Sequence, residues 1–159
     1  MPHYVDPDSF GFIVNDISRL LSAEMDRRAC EAGIALTSGE RRTLAHAARA
    51  GAVRQNVLAE RMGLEAMTLS AYLDRLETAG LVERQPDPTD RRAKIVNLTP
   101  AAEKVLEAAM PISAAVHADA SRQIPRKDWD RLLEQLKLVR ETLAAMRADI
   151  AAGEKGAAA

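Results

Sequence analysis

The most informative part of the chain reads Asp87-Pro88-Thr89-Asp90-Arg91-Arg92-Ala93-Lys94-Ile95-Val96-Asn97-Leu98-Thr99. Its first half favours a tight reversal, because proline fixes φ and an aspartate side chain hydrogen-bonds its own following backbone. Residues 83–85 and 94–98 can pair as the two arms of a β-hairpin. Two adjacent arginines then lie at a solvated tip, well placed to enter a groove of DNA. By itself, however, this pattern is more typical of an ordinary charged turn.

The segment just upstream has the spacing of a helix-turn-helix. Ala59, Gly63 and Leu69 supply the small residue where two helices touch, the glycine where the backbone turns with positive φ, and the aliphatic residue where the second helix packs back. We expect the first helix near residues 55–62 and the second near residues 66–79. A hairpin directly after such a pair of helices predicts a winged helix-turn-helix.

Three segments together resemble the MarR family of bacterial transcription regulators: Leu69-Ser70-Ala71-Tyr72-Leu73-Asp74-Arg75-Leu76-Glu77, Gly80-Leu81-Val82-Glu83-Arg84, and the stretch from Asp87 to Thr99. The match continues upstream through Leu58-Ala59-Glu60-Arg61-Met62-Gly63 and covers roughly residues 10 to 150. The resemblance implies a mainly α fold, in which a winged helix-turn-helix with a two-stranded wing is joined to terminal helices that form a dimerisation region. It also implies a homodimer with one winged domain per subunit. Many family members release DNA when they bind a small, often aromatic, ligand.

Helix-capping signals mark the elements on either side of the winged motif. Thr37 and Glu40 form a capping box for a helix that should end near Gly51. Thr99 followed by Pro100 is a cap with proline at the first helical position, so a long helix is expected directly after the hairpin.

Apolar side chains at helical spacing occur at both ends of the chain. They form one stripe in a predicted helix over residues 10–32, and from residue 129 onward they alternate in steps of three and four. This seam either packs against the winged domain of its own subunit or joins two chains. We expect the second arrangement, because the terminal helices hold more apolar surface than one subunit can bury. The residues predicted to form the dimer are Ile13, Ile17, Trp129, Leu132, Leu136, Val139, Leu143 and Met146.

These patterns divide the chain into four parts. Residues 1–33 hold the N-terminal segment and the first dimerisation helix, and residues 34–99 hold the winged helix-turn-helix DNA-binding domain. Residues 100–150 form the C-terminal dimerisation helices. Residues 151–159 are small and contain glycine, so they are predicted to be a disordered tail.

Composition narrows the class of protein. The 159 residues carry a formal net charge of −1, so local rather than overall charge must attract nucleic acid. No apolar run is long enough to span a membrane and no secretory signal is recognisable, so we expect a cytoplasmic protein. A single cysteine excludes an intrachain disulfide and a thiolate-rich metal cage, and we predict no metal and no cofactor. No phosphate loop, His-Glu-x-x-His or Gly-x-Ser-x-Gly motif suggests an enzyme.

The candidate base-reading residues lie in the N-terminal half of the second helix. Thr68 and Ser70 carry short hydroxyls that bond base edges or phosphates, and the methyl group of Ala71 can touch a thymine methyl. Arg75, one turn later, can reach guanine or phosphate. The alternative for Thr68 is a helix-capping role.

The resemblance assigns the wing a second set of contacts. Arg92 matches the minor-groove arginine of the family, and Asp90 is expected to orient its guanidinium group. A narrow minor groove concentrates negative potential, which suits arginine. Arg91 either contacts phosphate or is simply solvated. Residues at the edges of the motif complete the predicted DNA-binding set: Arg54, Gln55 and Lys94.

A ligand pocket is expected between the winged domain and the dimer helices, lined by the first two helices and the one after the wing. Arg42 and His46 lie four residues apart, so they can meet a carboxylate together, although an exposed arginine and a partly buried histidine are the simpler interpretation. The effector would be a small aromatic or carboxylate compound. Cys30 offers a redox-sensing alternative, since some relatives sense peroxide through a cysteine, but it is also a typical small hydrophobe. A winged domain that binds a protein instead of DNA is the remaining alternative.

Overall fold

A computed structural model describes residues 6–157 of the chain, apart from the side chains of residue 149 and residues 151–157. The elements in chain order are α1 (Phe10–Glu31), α2 (Ser38–Ala50), β1 (Val53–Arg54), α3 (Gln55–Met62), α4 (Ala66–Thr78), β2 (Val82–Pro86), β3 (Lys94–Leu98), α5 (Pro100–Ser121) and α6 (Arg126–Ala157). The chain divides into two compact units, one up to Val116 and one from His117 onward. Within residues 6–157, no helix is long and apolar enough to cross a membrane.

The predicted helix-turn-helix is confirmed in α3 and α4. Gly63 ends α3 with φ +63°, in the left-handed region that side-chain-bearing residues rarely adopt. Leu58 of α3 and Leu69 and Leu73 of α4 are completely buried. Burying each leucine side chain contributes about 1.5–3 kcal/mol, so this shared core fixes how α4 is presented to solvent.

The capping box predicted for α2 is present in full. The Thr37 hydroxyl accepts from the backbone N–H of Glu40 at 3.3 Å, and the Glu40 carboxylate accepts from the backbone N–H of Thr37 at 2.9 Å. The helix ends at Ala50, followed by Gly51 with φ +68°. Both ends of α2 therefore follow from local sequence.

The wing is a two-stranded hairpin, as predicted, within a sheet of three antiparallel strands. β2 pairs with β3 from Val82 opposite Leu98 to the end of the arm. The third strand, β1, is not predicted from the sequence and pairs with the other edge of β3 through Val53 opposite Val96. The buried side chains of Val53, Val82 and Val96 join the sheet to the core of α2, α3 and α4.

The terminal helices differ from prediction in one boundary. α5 begins at Pro100, as expected from its cap. α6 continues to Ala157, past residue 151, where a disordered tail was predicted. Alanine, glutamate and lysine are strong helix formers, and they offset the two glycines in this segment. Residues 158–159 of the predicted tail lie outside the described residues.

Candidate nucleic-acid interface

Most of the residues of α4 that are predicted to contact DNA lie on its solvent-exposed face. Thr68, Ala71 and Arg75 are exposed, and Ser70 is half-buried on the side of the wing. Thr68 does not cap the helix, because the N-cap is Glu65 and Thr68 lies one turn inside. The arrangement leaves short polar and apolar side chains free at the N-terminal half of an exposed helix, the form of element that fits the major groove.

A buried carboxylate holds the turn of the wing. Asp87 is only 5% exposed and accepts from the backbone N–H of Thr89 at 2.7 Å, from its hydroxyl at 2.6 Å and from the backbone N–H of Asp90 at 3.2 Å. The Arg54 guanidinium donates to the same carboxylate at 2.6 Å. The Thr89 hydrogen bonds and then Arg54 hold the pKa of Asp87 far below its usual range. Asp87 therefore shapes the wing from inside.

The predicted role of Asp90 is wrong in one respect. Its carboxylate accepts from the backbone N–H of Arg92 at 3.0 Å, and no hydrogen bond links it to the Arg92 guanidinium. A short aspartate side chain two residues before an amide closes a local turn more readily than it reaches the end of an arginine. The guanidinium of Arg92 is thereby left available.

Ion pairs neutralise two of the arginines near the wing, Arg54 and Arg84. Arg84 is largely buried and donates to Glu77 at 2.5 Å and Asp74 at 2.6 Å, and these bonds raise its pKa. Arg54, predicted to contact DNA, is paired with Asp87 and also donates to Thr89 at 2.9 Å. Both arginines thus hold the wing in place instead of offering free charge.

Three basic side chains remain at the wing without such partners. Arg91, Arg92 and Lys94 are exposed, and none forms an ion pair or a side-chain hydrogen bond with any residue of the described part of the chain. They follow one another within four positions at the tip and the start of β3. This cluster, the wing cations, is the main unpaired positive charge of the predicted interface.

A groove of about 400 Å³ separates the wing from the helix-turn-helix. It brings together five predicted residues, Gln55, Ser70, Asp90, Arg92 and Lys94, whereas the other five lie outside its lining: Arg54, Thr68, Ala71, Arg75 and Arg91. The other residues that line it are Asn56, Ala66, Arg84 and Ala93.

Sequence reasoning missed two residues of this region. Asn56 lines the groove from the first turn of α3, where its position beside the predicted Gln55 was the available signal. Met67 is 86% exposed in the first turn of α4, the highest value among the large hydrophobic residues of the described chain. An apolar side chain at this place is suited to contact a thymine methyl.

A second cavity, of about 340 Å³, lies among α1, α2 and α5, where a ligand pocket was predicted. Its walls are mainly apolar: Leu21, Met25, Ile34, Leu44, Ala45, Val105, Leu106, Ala109 and Met110. Polar groups come from Ser22, Ser38 and Ser113, and from the ion pair of Arg41 with Asp26. We refer to it as the α1–α2–α5 cavity.

The predicted pair of Arg42 and His46 does not meet in this cavity. Arg42 is exposed and lines it, whereas His46 is half-buried one helical turn farther along α2 and is absent from the lining. Burial, and then the charges of Arg42 and Arg49, lower the pKa of His46. His46 thus favours the neutral form, and the simpler interpretation from the sequence fits this arrangement.

Cys30 lies near the end of α1 and is exposed, so it is not the buried hydrophobe that one interpretation expected. It lines neither the groove nor the α1–α2–α5 cavity. Among the described side chains, those of residues 6–148 and 150, no group of three or more His, Cys, Asp or Glu is arranged to hold a metal ion.

The residues predicted to form the dimer are mostly exposed in the single chain. Ile13 and Ile17 belong to an exposed stripe on α1 that also includes Phe10, Val14 and Leu20. On α6, only Trp129 is half-buried; the others are exposed, from Val139 at 36% to Met146 at 56%: Leu132, Leu136, Val139, Leu143 and Met146.

Comparison with known proteins connects this arrangement to a family. The model of the MarR family matches residues 36–94. A curated relative, the transcriptional regulator HosA of Escherichia coli O111:H-, is 34% identical over 70 residues, which are 44% of this chain and 52% of HosA. The chain thus spans about half the length of the curated relatives it matches.

Solved structures show the same fold over most of the chain. A crystal structure of MarR has a TM-score of 0.81 at 21% identity, covering 92% of this chain and 99% of that one. A MarR-family transcriptional regulator from Silicibacter pomeroyi has a TM-score of 0.69 at 26% identity, covering 81% of this chain and 86% of that one. HosA and the Silicibacter pomeroyi protein are both named as transcriptional regulators.

Proposed function

We propose that the chain, whose residues 36–94 match the model of the MarR family, is a member of that family and a cytoplasmic transcriptional regulator that binds double-stranded DNA as a homodimer. The proposed target is a pseudo-palindromic operator, and the proposed action is repression that a small molecule relieves. The observation that carries the proposal is the set of wing cations, Arg91, Arg92 and Lys94, beside an exposed helix α4.

The geometry supports two kinds of contact with one duplex. The exposed N-terminal half of α4 suits the major groove, where Thr68, Ser70 and Ala71 can meet base edges. The wing cations suit the phosphates and the minor groove, which attracts arginine where it is narrow. The ion pairs of Arg84 hold the wing against α4, and the ion pair of Arg54 with Asp87 holds the wing against β1, which supports two contacts that are positioned before DNA binds.

The exposed apolar side chains support a dimer. Those on α1 recur at Phe10, Ile13, Ile17 and Leu20, which is the spacing of one helix face. Those on α6 recur in steps of three and four, the pattern of helices that pack against each other. Exposed apolar surface of this extent marks an interaction site, and a second copy supplies a matching face by symmetry. Two copies of α4 can then read two half-sites of an operator.

The α1–α2–α5 cavity supports regulation by an effector. Its mainly apolar wall with one exposed arginine, Arg42, fits a small aromatic acid whose carboxylate reaches the rim. Because α2 also belongs to the core of the winged domain, a molecule held there contacts the DNA-binding part of the protein directly.

The decisive experiment is selection of duplexes from a random-sequence library by the full chain, followed by footprinting and by the salt dependence of binding. A regulator should select a palindromic sequence whose affinity falls steeply with salt. Failure to bind any duplex at low salt would contradict the proposal and favour a winged domain that binds proteins. The Arg42→Ala variant, tested beside the parent with benzoate as probe, should keep DNA binding and lose the release that the carboxylate causes.

A further inference from the structure

Glu40 belongs to the capping box of α2 and also contacts the helix α4. It is 6% exposed, and the two oxygens of its carboxylate have different partners. Oε2 accepts from the backbone N–H of Thr37 in the capping box at 2.9 Å, and Oε1 accepts from Nε of Arg75 on α4 at 2.6 Å. A buried carboxylate thus links the first turn of α2 to the exposed face of the proposed recognition helix.

The bond to Glu40 restrains Arg75 but leaves its two terminal nitrogens free to donate hydrogen bonds. Its side chain is 56% exposed, and the bond to Glu40 engages only Nε. The guanidinium carbon lies 5.4 Å from the centre of the Tyr72 ring, a cation–π distance. The two terminal nitrogens make no hydrogen bond to any other described residue, so they remain as a pair of donors suited to a phosphate.

The backbone of α2 is closely packed against the same site. A Cβ atom added at Gly39 would lie 2.3 Å from Cζ of Tyr72, a distance that real Cβ atoms do not show. With a larger residue at position 39, the Tyr72 ring would have to move from its place against this turn and beneath Arg75. Two adjacent residues of α2, Gly39 and Glu40, thus fix the ring and the guanidinium group.

From these contacts we propose that Glu40 is a positioning residue for DNA binding: it holds Arg75 so that its two terminal nitrogens face a DNA phosphate. The inference rests on the proposed function. Burial tends to raise the pKa of Glu40, but the hydrogen bonds from Thr37 and Arg75 outweigh it and lower the pKa, so the carboxylate is charged at neutral pH. A mobile arginine loses side-chain conformational entropy when it binds DNA, which weakens binding. An arginine that Glu40 already restrains has lost that entropy beforehand, so its contact with DNA costs less.

The test compares two ways of damaging one capping box. Glu40→Ala removes the cap and the contact with Arg75, whereas Thr37→Ala weakens the same cap and leaves Glu40 on Arg75. The probe is a duplex that the parent chain selects from a random library. We expect Glu40→Ala to weaken binding at least five-fold and Thr37→Ala to change it less than two-fold. Glu40→Gln, which can still accept from Thr37, should fold like the parent and bind DNA less tightly.

A double-mutant cycle separates positioning from folding. In an Arg75→Ala background, Glu40→Ala should have no further effect on affinity, because its action passes through that side chain. The Nε–H resonance of Arg75 should also lose its protection from solvent exchange in Glu40→Gln. Equal losses in Glu40→Ala and Thr37→Ala, or a full effect in the Arg75→Ala background, would overturn the inference and leave the proposed function intact. A parent chain that selects no duplex would overturn both.

Discussion

Replacing Arg92 with alanine tests the central claim about the wing. Arg92 is exposed and forms no ion pair within the described chain, so its loss should remove a DNA contact and leave the fold unchanged. In a dimer the substitution removes two contacts. At about 1 kcal/mol for each, the dimer loses roughly 2 kcal/mol, which corresponds to an approximately thirty-fold rise in Kd.

The salt dependence gives a second, independent magnitude. Each phosphate charge that a protein neutralises contributes about 0.9 to the slope of log K against log salt. Two lost contacts should therefore reduce the slope by about 1.8, so the affinity lost between 50 and 200 mM salt becomes roughly twelve-fold smaller. Fluorescence anisotropy with the selected duplex, over a series of salt concentrations, measures both quantities.

Arg19→Ala is the matched control for Arg92→Ala. Arg19 is an exposed arginine on α1 that pairs with Asp16 at 3.2 Å, so the control removes the same charge away from the wing. A DNA contact by Arg92 is refuted if Arg92→Ala binds as tightly as the parent with an unchanged salt slope. It is refuted equally if Arg19→Ala weakens binding as much, because overall charge would then explain the effect. Equal thermal midpoints for the three proteins should confirm that the fold is intact.

Three further substitutions test the packing around the interface. Gly39→Ala should lower the thermal midpoint because of the clash with Tyr72, although alanine in a helix is ordinarily worth up to about 1 kcal/mol more than glycine. When Tyr72→Ala is present in the same chain, Gly39→Ala should become stabilising. A stabilising effect of Gly39→Ala by itself would contradict the described packing of Tyr72. Asp87→Asn should loosen the wing and weaken DNA binding. Because the pKa of Asp87 is lowered on folding, its stabilising effect is complete above its unfolded pKa of about 3.9 and is lost as the pH falls through the folded value. The difference in unfolding free energy between parent and Asp87→Asn, measured by urea titration, should therefore shrink as the pH falls below about 3.9. A difference that grows instead would refute the stabilising role of the Asp87 carboxylate. Leu73→Ala should cost about 2–5 kcal/mol in urea unfolding, since it empties a fully buried site; a loss below that range would show that the core is looser than described.

Signals between near neighbours in sequence were sufficient to predict much of the fold. The start of α2 is predicted from a capping box whose residues are three apart, and the end of α3 is predicted from the single residue Gly63. Both boundaries agree with the structure. The strand β1 was missed because two residues are too few to show alternation. Helix α6 was predicted too short because glycine was given more weight than the helix formers around it.

The electrostatics of the site could not be predicted in the same way. Arg54 pairs with Asp87, 33 residues away, and Arg84 pairs with Asp74 across a turn. Such partners meet only once the tertiary fold brings them together, and a sequence shows the charges without the pairing. The sequence therefore shows which basic residues lie near the wing, but not which of them are neutralised by ion pairs.

The first five residues of α2 contact two different parts of the molecule. Ser38, Arg41 and Arg42 line the α1–α2–α5 cavity, while Gly39 and Glu40 hold α4. Under the proposed function, mutations that change which small molecule the cavity binds would therefore fall beside mutations that change the affinity for DNA. Gene duplicates should then diverge in both proposed properties together, and transfer of the proposed ligand response to another scaffold would require moving the start of α2 together with α4.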